Sequence, residues 1–169
     1  FGENKVQEAE KKWGEIKKKY SNIQLHLVGK LQSNKVKNAL KIFDYIHSLD
    51  SFKLAETISK YQKDLNVKLK FFIQINIGNE SQKSGIDPSE ASDFLNTCIN
   101  KLSLDIIGLM CIPPFDMDSE QFFLKMKNLK NELNLHHLSM GMSNDYENAL
   151  LNGATHLRLG TAIFGERNI

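Results

Sequence analysis

The chain of 169 residues is 41% hydrophobic and 25% charged, and its 22 basic and 20 acidic residues leave a net charge of +2. Such a composition fits a globular chain long enough for one well-buried core, and no apolar run approaches the ~18 residues that a membrane span needs. Lysines are scattered among carboxylates without interleaved aromatics, which argues against a nucleic-acid surface, and Cys98 and Cys111 lack disulfide or metal spacing and read as buried thiols.

Phe1-Gly2-Glu3-Asn4 reads as the end of a strand, and with no Met ahead of it the chain is expected to be a fragment. Val6, Ala9, Trp13 and Ile16 then recur at helical spacing between Lys5 and Tyr20. Ile23 to Gly29 reads as a strand, and Ser33 is placed to cap a helix reaching about Ile42. Tyr45 to Leu49 is a short strand, with Asp50 or Ser51 expected to cap a helix to about Lys63. Lys68 to Ile77 holds an almost unbroken apolar run, the mark of a strand buried on both faces. After a polar loop from Gly78 to Gly85, Pro88 suits the first turn of a helix reaching Asn100. Leu104 to Ile112 is the next strand, closed by Pro113-Pro114. Ser119 to Leu133 is a helix with Phe122, Phe123, Met126, Leu129 and Leu133 on its apolar side. Two final strands, ending at Gly141 and Gly160, flank a helix over Asp145 to Leu151.

Strand and helix alternate without a linker or repeat, so parallel strands are expected, six clear ones after the fragmentary first, in one unit over residues 1–169. Polar and glycine-rich residues fall at the C-terminal ends of successive strands, and the two strongest glycine breaks follow the last two. That is where an eightfold α/β barrel binds phosphate, whereas an open sheet more often places its phosphate glycines after the first strand. The expected fold is therefore a (β/α)8 barrel of the TIM type, its first visible strand fragmentary.

The site is expected where Leu138 to Ser143 meets Thr155 to Gly165. Each segment breaks at a glycine and then offers a hydroxyl and free backbone N–H groups, so Ser143, Gly160 and Thr161 together suit a phosphate. Arg158 and Arg167 are the only arginines among the 22 basic residues, and Arg158 lies within an apolar strand. A planar, permanently charged donor is the functional reading; a core ion pair or a snorkelling side chain is the alternative.

Several motifs resemble one family: Phe1-Gly2-Glu3-Asn4 with Val6-Gln7-Glu8, His26 to Lys35, Gln74 to Gly78, Lys83-Ser84-Gly85-Ile86, Gly108-Leu109-Met110, Leu138 to Ser143 and Gly160 to Gly165. They run the length of the chain, in order, as in the pyridoxal phosphate homeostasis proteins, also described as proline synthase co-transcribed homologues. That family's fold is similar to the N-terminal barrel of alanine racemase. The resemblance implies a bound pyridoxal 5′-phosphate, with Ser143, Gly160 and Thr161 at the phosphate and Arg158 at the pyridine nitrogen. Asn4 at its strand end is expected to contact the cofactor, and Met142, with Met140, to pack under or beside the ring. The family's Schiff-base lysine lies on a first barrel strand that precedes the Phe-Gly-Glu-Asn segment and is expected to be missing here, so the resemblance implies an N-terminally truncated barrel of about seven strands with an open seam between the first and the last. Lys35 and Lys83 are weak substitutes, since a solvated lysine is nearly all protonated near pH 7.

His26 reads as a hydrogen-bonded core histidine, Glu3 as a partner for a basic residue inside the barrel, and Asn76 as a rim or turn residue. His136-His137 lacks a third ligand, so no metal is assigned, and no catalytic residue either. With no membrane span and no charged-then-apolar leader, a cytoplasmic site is the expectation, and the resemblance implies a protein that holds the cofactor, expected as a monomer that meets apo-enzymes requiring it. A racemase reading ranks second, because alanine racemase draws its opposite-face tyrosine from a further C-terminal domain and this chain stops at Ile169. A phosphosugar enzyme ranks third, for want of paired carboxylates or a convergent lysine at the strand ends.

Overall fold

In the computed structural model, which describes residues 1–79 and 84–165, seven parallel strands form one sheet in sequential order. They are β1 (Gly2–Glu3), β2 (His26–Leu27), β3 (Tyr45–Leu49), β4 (Lys70–Gln74), β5 (Asp105–Met110), β6 (His137–Met142) and β7 (His156–Arg158). Helices follow them: α1 (Val6–Lys19), α2 (Val36–Ile42), α3 (Phe52–Leu65), α4 (Ala91–Asn96), α5 (Ser119–Glu132), α6 (Tyr146–Leu151) and the short α7 (Thr161–Phe164). Parallel neighbours need such crossovers, because a tight turn cannot return the chain to the same end of the sheet.

The sheet curls into a barrel. The ring of His156 on β7 lies 6.0 Å from that of His26 on β2, 5.8 Å from His47 on β3 and 5.0 Å from Phe72 on β4. Side chains from one edge of the sheet thus reach strands near the other across its hollow. Among the described residues β1 and β7 do not pair, so the seam expected from the sequence is present.

Strand alternation sorts the side chains into two layers. Leu27, Ile46, Phe71, Ile73, Leu109 and Leu138 point outward into one continuous apolar core shared with the helices. The helices meet it as their periodicity predicts: α1 buries Val6, Ala9 and Trp13, and α5 buries Phe122, Phe123 and Met126. Met140 belongs to this outer core and is fully buried, so it does not flank a ligand. Glu3 also faces outward: its carboxylate accepts from Trp13 Nε1 at 2.6 Å and Lys12 Nζ at 3.0 Å, not from a cation inside the barrel.

Some local readings change. β2 is two residues long rather than seven, because Leu25 gives its N–H to Asp44 Oδ2 at 2.7 Å and its carbonyl to Asp44 N at 2.9 Å. The Leu25 N–H is thereby taken by a side chain, and its carbonyl is shared with Tyr45 N at 3.3 Å, so regular pairing starts only at His26. The helix expected from Pro88 to Asn100 is three pieces: a 3₁₀ turn (Pro88–Glu90) capped by Asp87, then α4, then a π turn (Thr97–Lys101). Ser33 caps nothing and lies inside a 3₁₀ turn (Ser33–Lys35), and Ser51 Oγ instead donates to Asp50 Oδ1 at 3.2 Å. α3 ends on Asn66 in the left-handed conformation, with φ at 52°, its N–H returning to Gln62 and Lys63 carbonyls.

Candidate functional site

The C-terminal ends of β6 and β7 come together. Ser143 Oγ accepts the backbone N–H of Ala162 at 3.3 Å, which fixes the loop after β6 against the first turn of α7. Thr161, next to Ala162, is exposed, and its hydroxyl and N–H make no bond to a described residue. A Cβ added to Gly160 would meet nothing within 4 Å, so space lies open above that backbone. Gly141 serves differently. Its φ is +90°, and an added Cβ would sit 2.6 Å from Ala149 Cβ and 3.0 Å from Leu157 Cδ2, so the residue lets α6 close on the strand ends.

Arg158 sits on the inner face of β7, half-buried. Its Nη1 donates to Ser139 Oγ at 2.9 Å and its Nη2 to the Cys111 carbonyl at 2.7 Å. No carboxylate lies within ion-pairing distance among the described residues, so neither the core ion pair nor the snorkelling arginine describes it. Burial pushes its pKa down from the ordinary value, opposed by Cys111 and Asp145, but a guanidinium remains charged at any physiological pH. The result is a partly desolvated cation with donors to spare, held below the β6–β7 ledge.

Beneath it the barrel is filled by imidazoles and aromatic rings. Ser139 Oγ lies 2.8 Å from His47 Nδ1, and His47 Nε2 lies 2.9 Å from His26 Nδ1. His47 stacks on Phe72 at 4.2 Å, and His26 on Tyr45 at 4.2 Å. Burial pushes His26 down to about 4, helped by the N-terminal ammonium and then His156, and His47 to about 2, helped by His26, His156 and Arg158; burial also lowers His137 and His156. The bore thus holds neutral imidazoles at pH 7, with the Arg158 guanidinium at its β6–β7 end and the Lys70 ammonium over the Tyr45 ring at its opposite mouth. His26 is a hydrogen-bonded interior histidine, as its apolar setting suggested. His47 and Ser139 are the residues that sequence reasoning missed. Their signal was the period-2 alternation that sets His47 on the face of Tyr45 and Ser139 on the face of His137.

The other candidates scatter. Asn4 is exposed at the end of β1, its backbone lying so close to Gly29 that no Cβ fits there. Met142 is exposed at the end of β6, its N–H bonded to Asp145 Oδ1 at 2.6 Å. Asn76 closes a turn by accepting from Asn79 N at 3.2 Å. Lys35 lies in the 3₁₀ turn after β2, three strands or more from the β6–β7 ledge, and Lys83 falls outside the described residues. Cys98 and Cys111 are buried free thiols that burial pushes up to about 12, hence unreactive. At the other end of the barrel, a concavity of about 680 Å³ at the starts of β2, β3 and β4 is ringed by Lys17, Lys41, Lys68 and Lys70.

With this geometry in place, comparisons with known proteins are informative. The family described as alanine racemase, N-terminal domain, matches residues 1–168. A pyridoxal phosphate homeostasis protein of Aquifex aeolicus is 38% identical over 176 residues, covering 99% of this chain and 76% of the relative. One of Pasteurella multocida is 39% identical with the same coverage. Among solved structures, PipY of Synechococcus elongatus without PLP superposes with a TM-score of 0.91 at 36% identity, covering 98% of this chain and 81% of that one, and PipY with PLP bound with 0.87. Alanine racemase of Clostridium difficile gives 0.75 at 16% identity, a likeness of fold alone.

Proposed function

The chain belongs to the alanine racemase N-terminal domain family and, within it, to the pyridoxal phosphate homeostasis proteins, and on that premise we propose that it binds pyridoxal 5′-phosphate and serves the homeostasis of that cofactor. PipY, 36% identical, is a structure with PLP bound. The observation that carries the reading to this chain is the meeting of Ser143 and Thr161 at adjoining strand ends, with the unpaired Arg158 cation beneath them.

The donor set fits the phosphate. Ser143 uses an oxygen lone pair on Ala162 N–H, so its own O–H is left to donate. Thr161 adds a hydroxyl and an N–H, and the open space at Gly160 admits an anion against the backbone. Arg158 is assigned the pyridine nitrogen. A guanidinium can only donate, so it supports the unprotonated ring and discourages its protonation. Met142 flanks the ring and Asn4 meets the cofactor from the β1 rim. When bound, the cofactor would supply an electrophilic aldehyde and an electron-withdrawing ring, and a ring nitrogen that Arg158 keeps unprotonated withdraws less than a pyridinium. The residues thus favour holding the cofactor over carbanion chemistry.

The same reading makes residues 1–169 one cofactor-binding unit, acting as a cytoplasmic monomer that passes the cofactor to apo-enzymes needing it. No helix is long and apolar enough to cross a membrane among the described residues. Equilibrium dialysis against pyridoxal phosphate and against pyridoxal tests the assignment. The phosphorylated form is retained much more tightly, and Ser143→Ala with Thr161→Ala weakens it roughly tenfold or more, the value of hydrogen bonds to a charged group. Equal retention of both forms would overturn it.

A further inference from the structure

Four hydrogen bonds in series cross the bore: His26 to His47, His47 to Ser139, Arg158 to Ser139 and Arg158 to the Cys111 carbonyl. Their direction follows from the one member that cannot accept. Arg158 donates to Ser139 Oγ through Nη1, so the hydroxyl proton must go elsewhere, and His47 Nδ1 at 2.8 Å is the acceptor within reach. His47 then carries its proton on Nε2 and donates to His26 Nδ1. His26 in turn carries its proton on Nε2. A single neutral tautomer at each imidazole satisfies every bond in the series. The opposite polarity would leave the buried hydroxyl proton of Ser139 without a partner, which is costly.

A series ending on a guanidinium does not conduct protons, because that group neither accepts nor releases one at ordinary pH. Its consequence is orientation. The Cys111 carbonyl, at the end of β5, and Ser139, on β6, hold both Nη atoms, so the plane of the guanidinium is fixed against two strands. The stacks of His47 on Phe72 and of His26 on Tyr45 hold the imidazoles that direct Ser139.

We propose that His26, His47 and Ser139 are positioning residues whose hydrogen-bond polarity locks the Arg158 guanidinium, and thereby set the electronic state of the cofactor's ring nitrogen. This rests on the cofactor reading given above, and the test separates the two. With two arginines in the chain, the Nη signals of Arg158 in ¹⁵N-labelled protein are readily assigned by comparison with Arg167→Lys. In the cofactor-free protein they are resolved and slow to exchange. Ser139→Ala and His47→Leu collapse them to a rotationally averaged signal. His47→Asn, which returns an acceptor at the place of Nδ1, restores them.

The second readout uses pyridoxal phosphate labelled with ¹⁵N in the ring. Its nitrogen signal moves toward that of the free cofactor in Ser139→Ala and His47→Leu, while His47→Asn stays near the parent. Affinity in the first two falls roughly tenfold, as for the loss of one bond to a charged group. Averaged Arg158 signals already in the parent protein, or signals unchanged in both damaging variants, would overturn the proposal. An Arg158 that is locked and responds to the variants, with no change in the ³¹P signal of added cofactor, would instead sink the cofactor reading and the role proposed at the ring nitrogen with it.

Discussion

The bore of the barrel and the layer between strands and helices share the same strands but obey opposite chemistry. Outward positions carry Leu, Ile and Phe in one apolar core, stabilised in proportion to area removed from water. Inward positions carry His26, Tyr45, His47, Ser139, His156 and Arg158, joined by directed bonds and stacked rings. Fold is written in the first layer and function in the second. Neighbouring residues of one strand, Phe71 and Phe72, show the division: one lies in the apolar core, the other against His47 and His156.

That contrast can be broken at several places. Phe71→Ala, in the outer layer, is expected to cost about 3–5 kcal/mol, read from urea unfolding, because it removes a fully buried aromatic from a close-packed core. Gly141→Ala is expected to cost about 1–3 kcal/mol, since alanine at φ +90° is strained and its Cβ strikes Ala149. Phe72→Ala sharpens the contrast in another way. By admitting water to the bore it relieves the burial of His47, whose pKa rises from about 2 toward its ordinary 6.5, measurable by NMR titration.

The same imidazoles set a dependence on pH. His26 and His47 are lowered in the folded chain, so below pH 6.5 the unfolded chain binds more protons. Their contribution is complete above 6.5 and is lost as pH falls, with His26 ceasing to add slope near pH 4 while His47 continues toward 2. The urea midpoint should therefore fall between pH 7 and 5, and His47→Phe should flatten that fall. The smallest effect is expected at the surface, where Lys18→Ala removes an exposed i,i+3 pair with Glu15 and changes stability by less than about 0.5 kcal/mol.

The two layers were unequally legible in the sequence. The outer one was plain: the apolar spacing of Val6, Ala9 and Trp13, or of Phe122, Phe123 and Met126, gave both the helices and their buried faces. The parallel strands followed from the alternation of elements, and the open seam from the family resemblance. Local hydrogen bonding was less visible, as where Asp44 takes the groups of Leu25 and shortens β2, or where the chain from Pro88 to Lys101 passes through three helical geometries. In the bore, His26 and Arg158 stood out as polar residues in apolar strands. His47 and Ser139 did not, because a bond between residues 92 apart in the chain has no local signature. The meeting of Ser143 with Ala162 was readable only because both follow glycine breaks at the ends of neighbouring strands.

A crystal structure of the protein soaked with pyridoxal 5′-phosphate tests the central claim most directly. It should place phosphate oxygens within hydrogen-bond reach, about 3 Å, of Ser143 Oγ and the Thr161 hydroxyl, with the ring nitrogen turned toward Arg158. A cofactor phosphate seated instead among Lys17, Lys41, Lys68 and Lys70 at the opposite end of the barrel would contradict it.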